Sequence, residues 1–276
     1  MTAATGGPRE RGFALLIVLW TLVMAALIAT QVTAAGRGAI QVASNLLRAA
    51  ELEAAADGAV HEAMFRMLDT GATRWSADGS TRALPGGIVV SLEDLAGRIN
   101  PNQASPELLM SLLRQLGVDA QRARALADAI ADWRDPTSQR RQFGAKAPEY
   151  RQTGRTYGPP EAPIRSIAEL GAVLGMTPDL LARLEPHLTV YRDADPDPSQ
   201  AGPVVMAALR ASLGAQEFAA ATQVGLRVVA VTATARGLGR TRFTRRAVVS
   251  IGGGSGGMEH RILAWGIGEA GAPGAP

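Results

Sequence analysis

Few residues in this 276-residue sequence are of types that do covalent chemistry, and their placement argues against it. Gly253-Gly254-Ser255-Gly256-Gly257 matches the G-x-S-x-G spelling of a serine nucleophile, but that motif works only on a sharp strand-to-helix turn. Here it lies in a Gly/Ser-rich tract with no helix-forming sequence behind it. Cysteine is absent, which removes disulfides, thiolate metal sites and a cysteine nucleophile together. His61, His187 and His260 are scattered, with no pair at metal-ligand spacing. Trp75 and Trp133 read as core anchors rather than binding platforms. No catalytic residue is assigned, and a non-enzymatic protein is expected.

Composition narrows the class further. A hydrophobic fraction of 47% against 19% charged residues describes a globular chain that also carries one strongly apolar segment. The formal net charge is only +3, despite a sequence pI near 9.9, and Lys146 is the sole lysine among the cations. That balance supplies no nucleic-acid-sized electrostatic footprint.

The apolar segment is at the N-terminus. From Phe13 to Gly36 there is no formal charge, and Phe13 to Ala29 reads FALLIVLWTLVMAALIA. A helix of about 20 such residues reaches about 30 Å, the thickness of a hydrocarbon core. Arg9 and Arg11, opposed only by Glu10, precede it, which by the positive-inside tendency leaves residues 1–12 cytoplasmic and the remainder periplasmic. Beyond Arg37, Ile40, Leu46, Leu47, Ala50, Ala54, Val60, Met64 and Leu68 keep roughly helical spacing. One long helix, half in lipid and half amphipathic, is predicted.

A polar, Gly-containing loop is predicted for Asp69 to Gly87, then a short strand at Ile88 to Leu92. Val224 to Thr234 and Arg242 to Ile251 read as a hairpin turning at Gly237 and Gly239. Between these strands the sequence is helical. Ser105-Pro106-Glu107 opens a helix that Gly117 ends, and Asp119 opens another running to Trp133. Ser166 and Glu169 form a capping-box pattern, Gly175 ends that helix, and Thr177-Pro178 starts the next. Pro101, Gln103, Ala104, Pro106, Leu112, Leu116 and Gly117 recur at constant offset as Pro198, Gln200, Ala201, Pro203, Leu209, Leu213 and Gly214. The expected fold class is α+β, with an all-α unit inserted into a small antiparallel sheet.

Several segments resemble known families. Arg11-Gly12-Phe13-Ala14-Leu15-Leu16 resembles the leader junction of type IV pilins and pseudopilins, which implies a type IV pilin-like fold, cleavage between Gly12 and Phe13 by a prepilin peptidase, and N-methylation of Phe13. Most such subunits carry Glu five residues into the mature chain, where it can neutralise a neighbour's N-terminal amine; the residue here is Ile17. Asp94-Leu95-Ala96-Gly97-Arg98-Ile99-Asn100-Pro101-Asn102, then Asp132-Trp133-Arg134-Asp135, Phe143-Gly144-Ala145, Tyr150, Ser166 to Leu170 and Leu184 to Val190 occur in the order of the K-type minor pseudopilins of type II secretion (the GspK, or general secretion pathway protein K, family), which also omit that Glu.

This second resemblance implies several expectations. The fold would be a long N-terminal helix on a small antiparallel sheet, with a large SAM- or helix-hairpin-helix-like domain inserted. Residues would divide as 1–12 leader, 13–36 transmembrane, 37–98 periplasmic helix and first strands, 99–195 helical insertion, 196–251 the rest of the pilin-like domain, and 252–276 a flexible tail. The protein would cap the pseudopilus tip from the inner membrane, with I- and J-type minor pseudopilins, other pseudopilins and the inner-membrane secretion platform as partners. Calcium is the implied cofactor, with Asp132 and Asp135 as candidate ligands. Calcium takes six to eight oxygens; Thr137 and Ser138 stand where the family tends to have acids, and Lys146 where it has Glu. Asp193, Asp195 and Asp197 are further oxygen sources, in a Pro-broken loop. The hairpin at Leu116-Gly117-Val118-Asp119 also resembles helix-hairpin-helix DNA-binding motifs, but Asp119 and, in the second hairpin, Thr177 replace the glycine that frees amides for phosphate. A DNA receptor and a minor pilin of a surface type IV pilus remain the alternatives.

Overall fold

The computed structural model describes residues 9–212, 227–254 and 257–268. Helix α1 spans Arg9–Leu68, 60 residues without a proline, and is therefore about 90 Å long. Phe13–Val32 is apolar and long enough to cross a membrane, with a mean hydropathy of 2.6 and none of it buried within the protein. The opposite end of α1 is amphipathic. Ala56, Ala59, Val60, Ala63, Met64 and Met67 recur at three- and four-residue steps and are all buried, the alanines letting the helix lie close on a sheet.

The sheet has five antiparallel strands in the order β1 (Asp78–Leu84), β2 (Ile88–Asp94), β3 (Arg227–Arg236), β4 (Arg242–Gly254) and β5 (Gly257–Ile267). Alternation sorts the side chains: Val90, Leu92, Val229, Val231, Ala233 and Ala235 face α1, while Val228, Ala230 and Val248 pack with Leu95 on the other face. Arg245 ties helix to sheet, donating to Asp57 at 2.5 Å and Glu53 at 2.6 Å.

Strands β2 and β3 are neighbours in space although the whole helical unit separates them in sequence, as an insertion requires. The insertion comprises α2 (Pro106–Gln115), α3 (Ala120–Arg134), α4 (Ala147–Gln152), α5 (Pro178–Leu184) and α6 (Pro203–Ser212), with short 3-10 turns at Leu95–Gly97, Ile167–Ala172 and Glu185–His187. It has its own core, in which Leu108, Leu112, Leu126, Ile130, Tyr150, Leu180 and Leu209 are buried. Caps act where the sequence places them: Ser105 accepts from the Leu108 amide, Asp119 from Arg122 and Thr177 from Leu180. Arg122 also donates to the Gly175 carbonyl and Arg183 to that of Leu116, so the two helical hairpins are tied turn to helix.

Four expectations are corrected. The polar stretch 69–87 contains β1, an edge strand whose mostly exposed side chains hide it from a hydrophobic pattern. The 252–276 tail is not wholly flexible: β4 continues to Gly254, and 257–267 forms β5, with Gly254 paired to Gly257. The glycine tract therefore joins two strands, and residues 255–256 and 269–276 lie outside the described part. The helical insertion does not end at 195, because Val205, Ala208 and Leu209 of α6 complete its core. The repeat thus places α6 against α2, at equal lengths; Leu213, Gly214 and the strand start at Val224 lie outside the described residues. Finally, the Ser166–Glu169 capping box does not form. Glu169 instead accepts from the Trp133 indole at 2.8 Å and from the Arg165 amide at 3.0 Å, and the segment winds as 3-10 turns.

The direction of the insertion follows from α1. The β3–β4 turn lies beside Leu52, where a Cβ on Gly237 would come within 3.2 Å of its Cδ1. Asp94 and Arg227, at the other end of β2 and β3, mark where the chain leaves and re-enters the sheet, joined by an ion pair at 2.9 Å. Since α1 runs from its membrane-length segment through Leu52 to Leu68, the helical unit departs from the end of the sheet distal to that segment.

The seam also holds a titrating group. His187 gives its carbonyl to the Ile99 amide at 2.9 Å, and its ring is held below the usual histidine range, first by burial and then by the Arg98 charge. The unfolded chain therefore binds more protons than the folded one just below pH 6.5, so this contribution is complete above that value and is lost as pH falls. A melting midpoint measured at pH 7 and pH 5 is expected to drop, and His187→Gln to lessen the drop.

Candidate cation site in the helical insertion

The carboxylates singled out by sequence lie at the end of α3. Its last turns present Asp128 and Asp132 four residues apart, on one face, toward the returning loop 136–146. Both accept loop amides: Asp128 from Phe143 at 3.1 Å and Asp132 from Arg141 at 3.1 Å. Asp132 is fully buried. Burial pushes its carboxyl above the ordinary range, opposed by the Arg141 amide and by the charges of Lys146 and Arg141. The loop backbone lies directly on it, since a Cβ on Gly144 would fall 2.0 Å from Oδ2. Glycine at 144 is set by this close approach.

Asp135 ends the helix. Its Oδ1 accepts from the Thr137 amide at 2.9 Å, and that bond, with the Thr137 hydroxyl, is the main cause holding its carboxyl low. Its backbone carbonyl, with that of Asp132, points instead at Lys146.

Lys146 is 4% exposed, and its Nζ donates to Asp135 O at 2.8 Å and Asp132 O at 3.0 Å, with Glu161 Oε1 at 3.4 Å. Of the three donors of an ammonium, two are hydrogen-bonded to these carbonyls, and the Glu161 carboxylate adds an ion pair. A cation here also faces the negative end of the α3 dipole. Lys146 further opens α4, its amide donating to Glu149 Oε2 at 2.9 Å, while Arg140 braces Glu149 at 3.2 Å and the Gly144 carbonyl at 3.2 Å. Glu161 sits at φ +55°, a left-handed conformation uncommon outside glycine.

Other candidates are elsewhere. Asp197 accepts from Ser199, and the Asp195 carbonyl from Arg192, whose guanidinium also reaches the Ala96 carbonyl at 3.2 Å. The Asn-x-Asn turn works beside them: Asn100 donates to the Arg192 carbonyl at 2.8 Å, and Asn102 exchanges two 2.8 Å bonds with Ile164. Among the described residues no three His, Cys, Asp or Glu side chains converge as a metal site. Trp133 is a core anchor, Trp75 packs on the sheet core and His61 stacks on Trp265. Sequence reading missed Asp128, which its four-residue spacing from Asp132 could have revealed. It also missed Glu161, for which a proline-flanked loop gave no signal. Gly12 and Phe13 lie near the start of α1 as described.

Residues 89–193, from β2 through this site to the chain's return at the seam, match the family model described as type II secretion system (T2SS), protein K. This segment is thus similar to T2SS protein K. No curated protein sequence matches it. Among solved structures, one chain of the GspK-GspI-GspJ complex from the enterotoxigenic Escherichia coli type 2 secretion system aligns with a TM-score of 0.64 at 17% identity, covering 83% of this chain and 99% of that one. At that identity the likeness is one of fold: the long helix, the sheet and the inserted helices. The protein K match accounts for the order of the Gly97, Asn100–Asn102, Asp132–Asp135 and Tyr150 segments, each of which has a structural task in this chain.

Proposed function

We propose that this protein is the minor pseudopilin at the tip of a periplasmic pseudopilus, a non-enzymatic assembly subunit that supports export of folded proteins across the outer membrane. The observation that carries this reading is the exit of the helical insertion from the end of the sheet distal to the membrane-length segment; a bulky head there would block stacking of a further subunit. Phe13–Val32 anchors the chain once in the inner membrane, with the head in the periplasm. Ile40, Leu46, Leu47 and Phe65, each more than 60% exposed on α1, offer apolar surface to neighbouring helices. The solved relative comes from a complex with GspI and GspJ, which supports I- and J-type minor pseudopilins as partners.

Prepilin peptidase is proposed to cut between Gly12 and Phe13, leaving a methylated Phe13 amine. Ile17 then offers that site no carboxylate, which suits a subunit with none above it. Ile17→Glu is expected to leave membrane insertion intact while lowering incorporation; unchanged incorporation and secretion would strip the omission of positional meaning. The deciding experiment is deletion of the gene with complementation, reading secretion and co-purification with the I- and J-type partners, together with mass spectrometry of the N-terminus. Loss of secretion and a mature chain starting at Phe13 are expected. Full secretion without the protein, or retention of residues 1–12 beside an active peptidase, overturns the reading.

A further inference from the structure

The oxygens gathered at the end of α3 do not fit a divalent ion. A calcium site needs six to eight oxygens turned to one point. Here the Asp132 and Asp135 carbonyls and Glu161 Oε1 are turned to Nζ of Lys146, the Asp132 carboxylate is covered by the loop backbone at Arg141 and Gly144, and Asp135 Oδ1 is engaged by Thr137. We propose that the Lys146 ammonium is a built-in cation: it fills the seat that a metal ion would need and closes the loop between α3 and α4 without one. Three features support this. The ammonium is buried, so it is not a solvated surface charge that happens to lie nearby. It hydrogen-bonds two carbonyls of the α3 terminus and pairs with the carboxylate of the Glu161 loop, which is the bridging task a structural cation performs. Glu161 is held in a left-handed conformation, a backbone cost that is retained where surrounding contacts fix it.

The inference concerns the folding of the insertion and stands whether or not the protein caps a pseudopilus. It is tested on the full chain in detergent by thermal melting in EDTA and in about 5 mM calcium, beyond the millimolar range of weak extracellular sites. The wild type is expected to melt within about 1 °C in both, because a ligand that binds only the folded state raises the midpoint by mass action and one that does not bind leaves it. A rise of several degrees with calcium, or a saturable calorimetric titration near one ion per chain, overturns the proposal. The converse arm is Lys146→Glu, which removes the ammonium and adds a carboxylate at the same seat. This variant is expected to melt lower in EDTA and to recover part of the loss with calcium or terbium; a folded variant that ignores both ions also overturns the assignment of the seat. Should Lys146→Glu fail to fold in any buffer, Lys146→Met decides in its place: a lowered midpoint that calcium does not restore is expected, and an unchanged midpoint overturns the role of the ammonium.

Discussion

Gly97→Ala is expected to unfold the junction between sheet and insertion, lowering the melting midpoint of the full chain by roughly 6 °C or more. A Cβ at this position would fall 2.2 Å from the Gln200 carbonyl oxygen, 2.4 Å from its carbon and 2.6 Å from the Ala201 nitrogen. All three atoms belong to backbone, so no side chain can swing aside. Relief requires the outgoing segment at 96–97 and the returning segment at 197–201 to separate, which breaks the 2.7 Å bond from the Asp197 amide to the Ala96 carbonyl. Forcing a methyl into a filled site costs about 1–3 kcal/mol and more where the walls cannot relax; at roughly 2–4 °C per kcal/mol for a protein of this size, the upper end gives the stated shift. Gly202→Ala is the control, five residues along the sequence from the same seam's Asp197, where a Cβ meets nothing within 4 Å. Near-UV circular dichroism reads both. Equal midpoints for the two variants would show that the seam tolerates the added methyl group.

How much of this was legible depends on whether local or distant atoms decide each element. Helices α2, α3 and α5 were readable because Ser105, Asp119 and Thr177 satisfy their own first-turn amides, a choice made within three residues. The capping box at Ser166 obeyed the same local rule and failed, because the Trp133 indole from a distant helix takes the Glu169 carboxylate. Strand β1 was hidden by polarity, its Asp-Gly-Ser-Thr-Arg run suiting an exposed edge, and β5 by the glycines before it. The membrane-length segment and the leader-like Gly12-Phe13 junction were plain from composition and order alone. Lys146 was visible as a departure from a pattern, but its destination was not: no local rule sends that side chain to two carbonyls eleven and fourteen residues earlier. A site built from backbone oxygens leaves little trace in residue types, whereas one built from carboxylates does.

Tyr150 is the residue whose loss is expected to cost the insertion most. It is fully buried between the rings of Trp133 and Tyr157, at 6.0 and 5.8 Å, and its hydroxyl accepts from the Leu174 amide at 2.9 Å. Tyr150→Ala removes an aromatic ring from a closed core, at about 3–5 kcal/mol. Tyr150→Phe keeps the ring and orphans the Leu174 amide, at about 1–3 kcal/mol. The order wild type, Phe, Ala in melting midpoint is therefore expected; equal midpoints for the two variants would mean that only the hydroxyl matters, and a Phe variant equal to wild type that only the ring does. The hydroxyl has its own signature. Burial pushes its pKa up to about 12 from 10, so the folded state holds a proton that the unfolded chain releases, and stability falls as pH rises through that interval; Tyr150→Phe is expected to flatten that limb. The sheet core under α1 contains none of these residues, so Tyr150→Ala is expected to stay membrane-anchored while limited proteolysis cuts the insertion between β2 and β3. Cleavage that instead begins within α1 or the strands would show that the two cores fold as one cooperative unit, and the head could then not loosen without releasing the stalk.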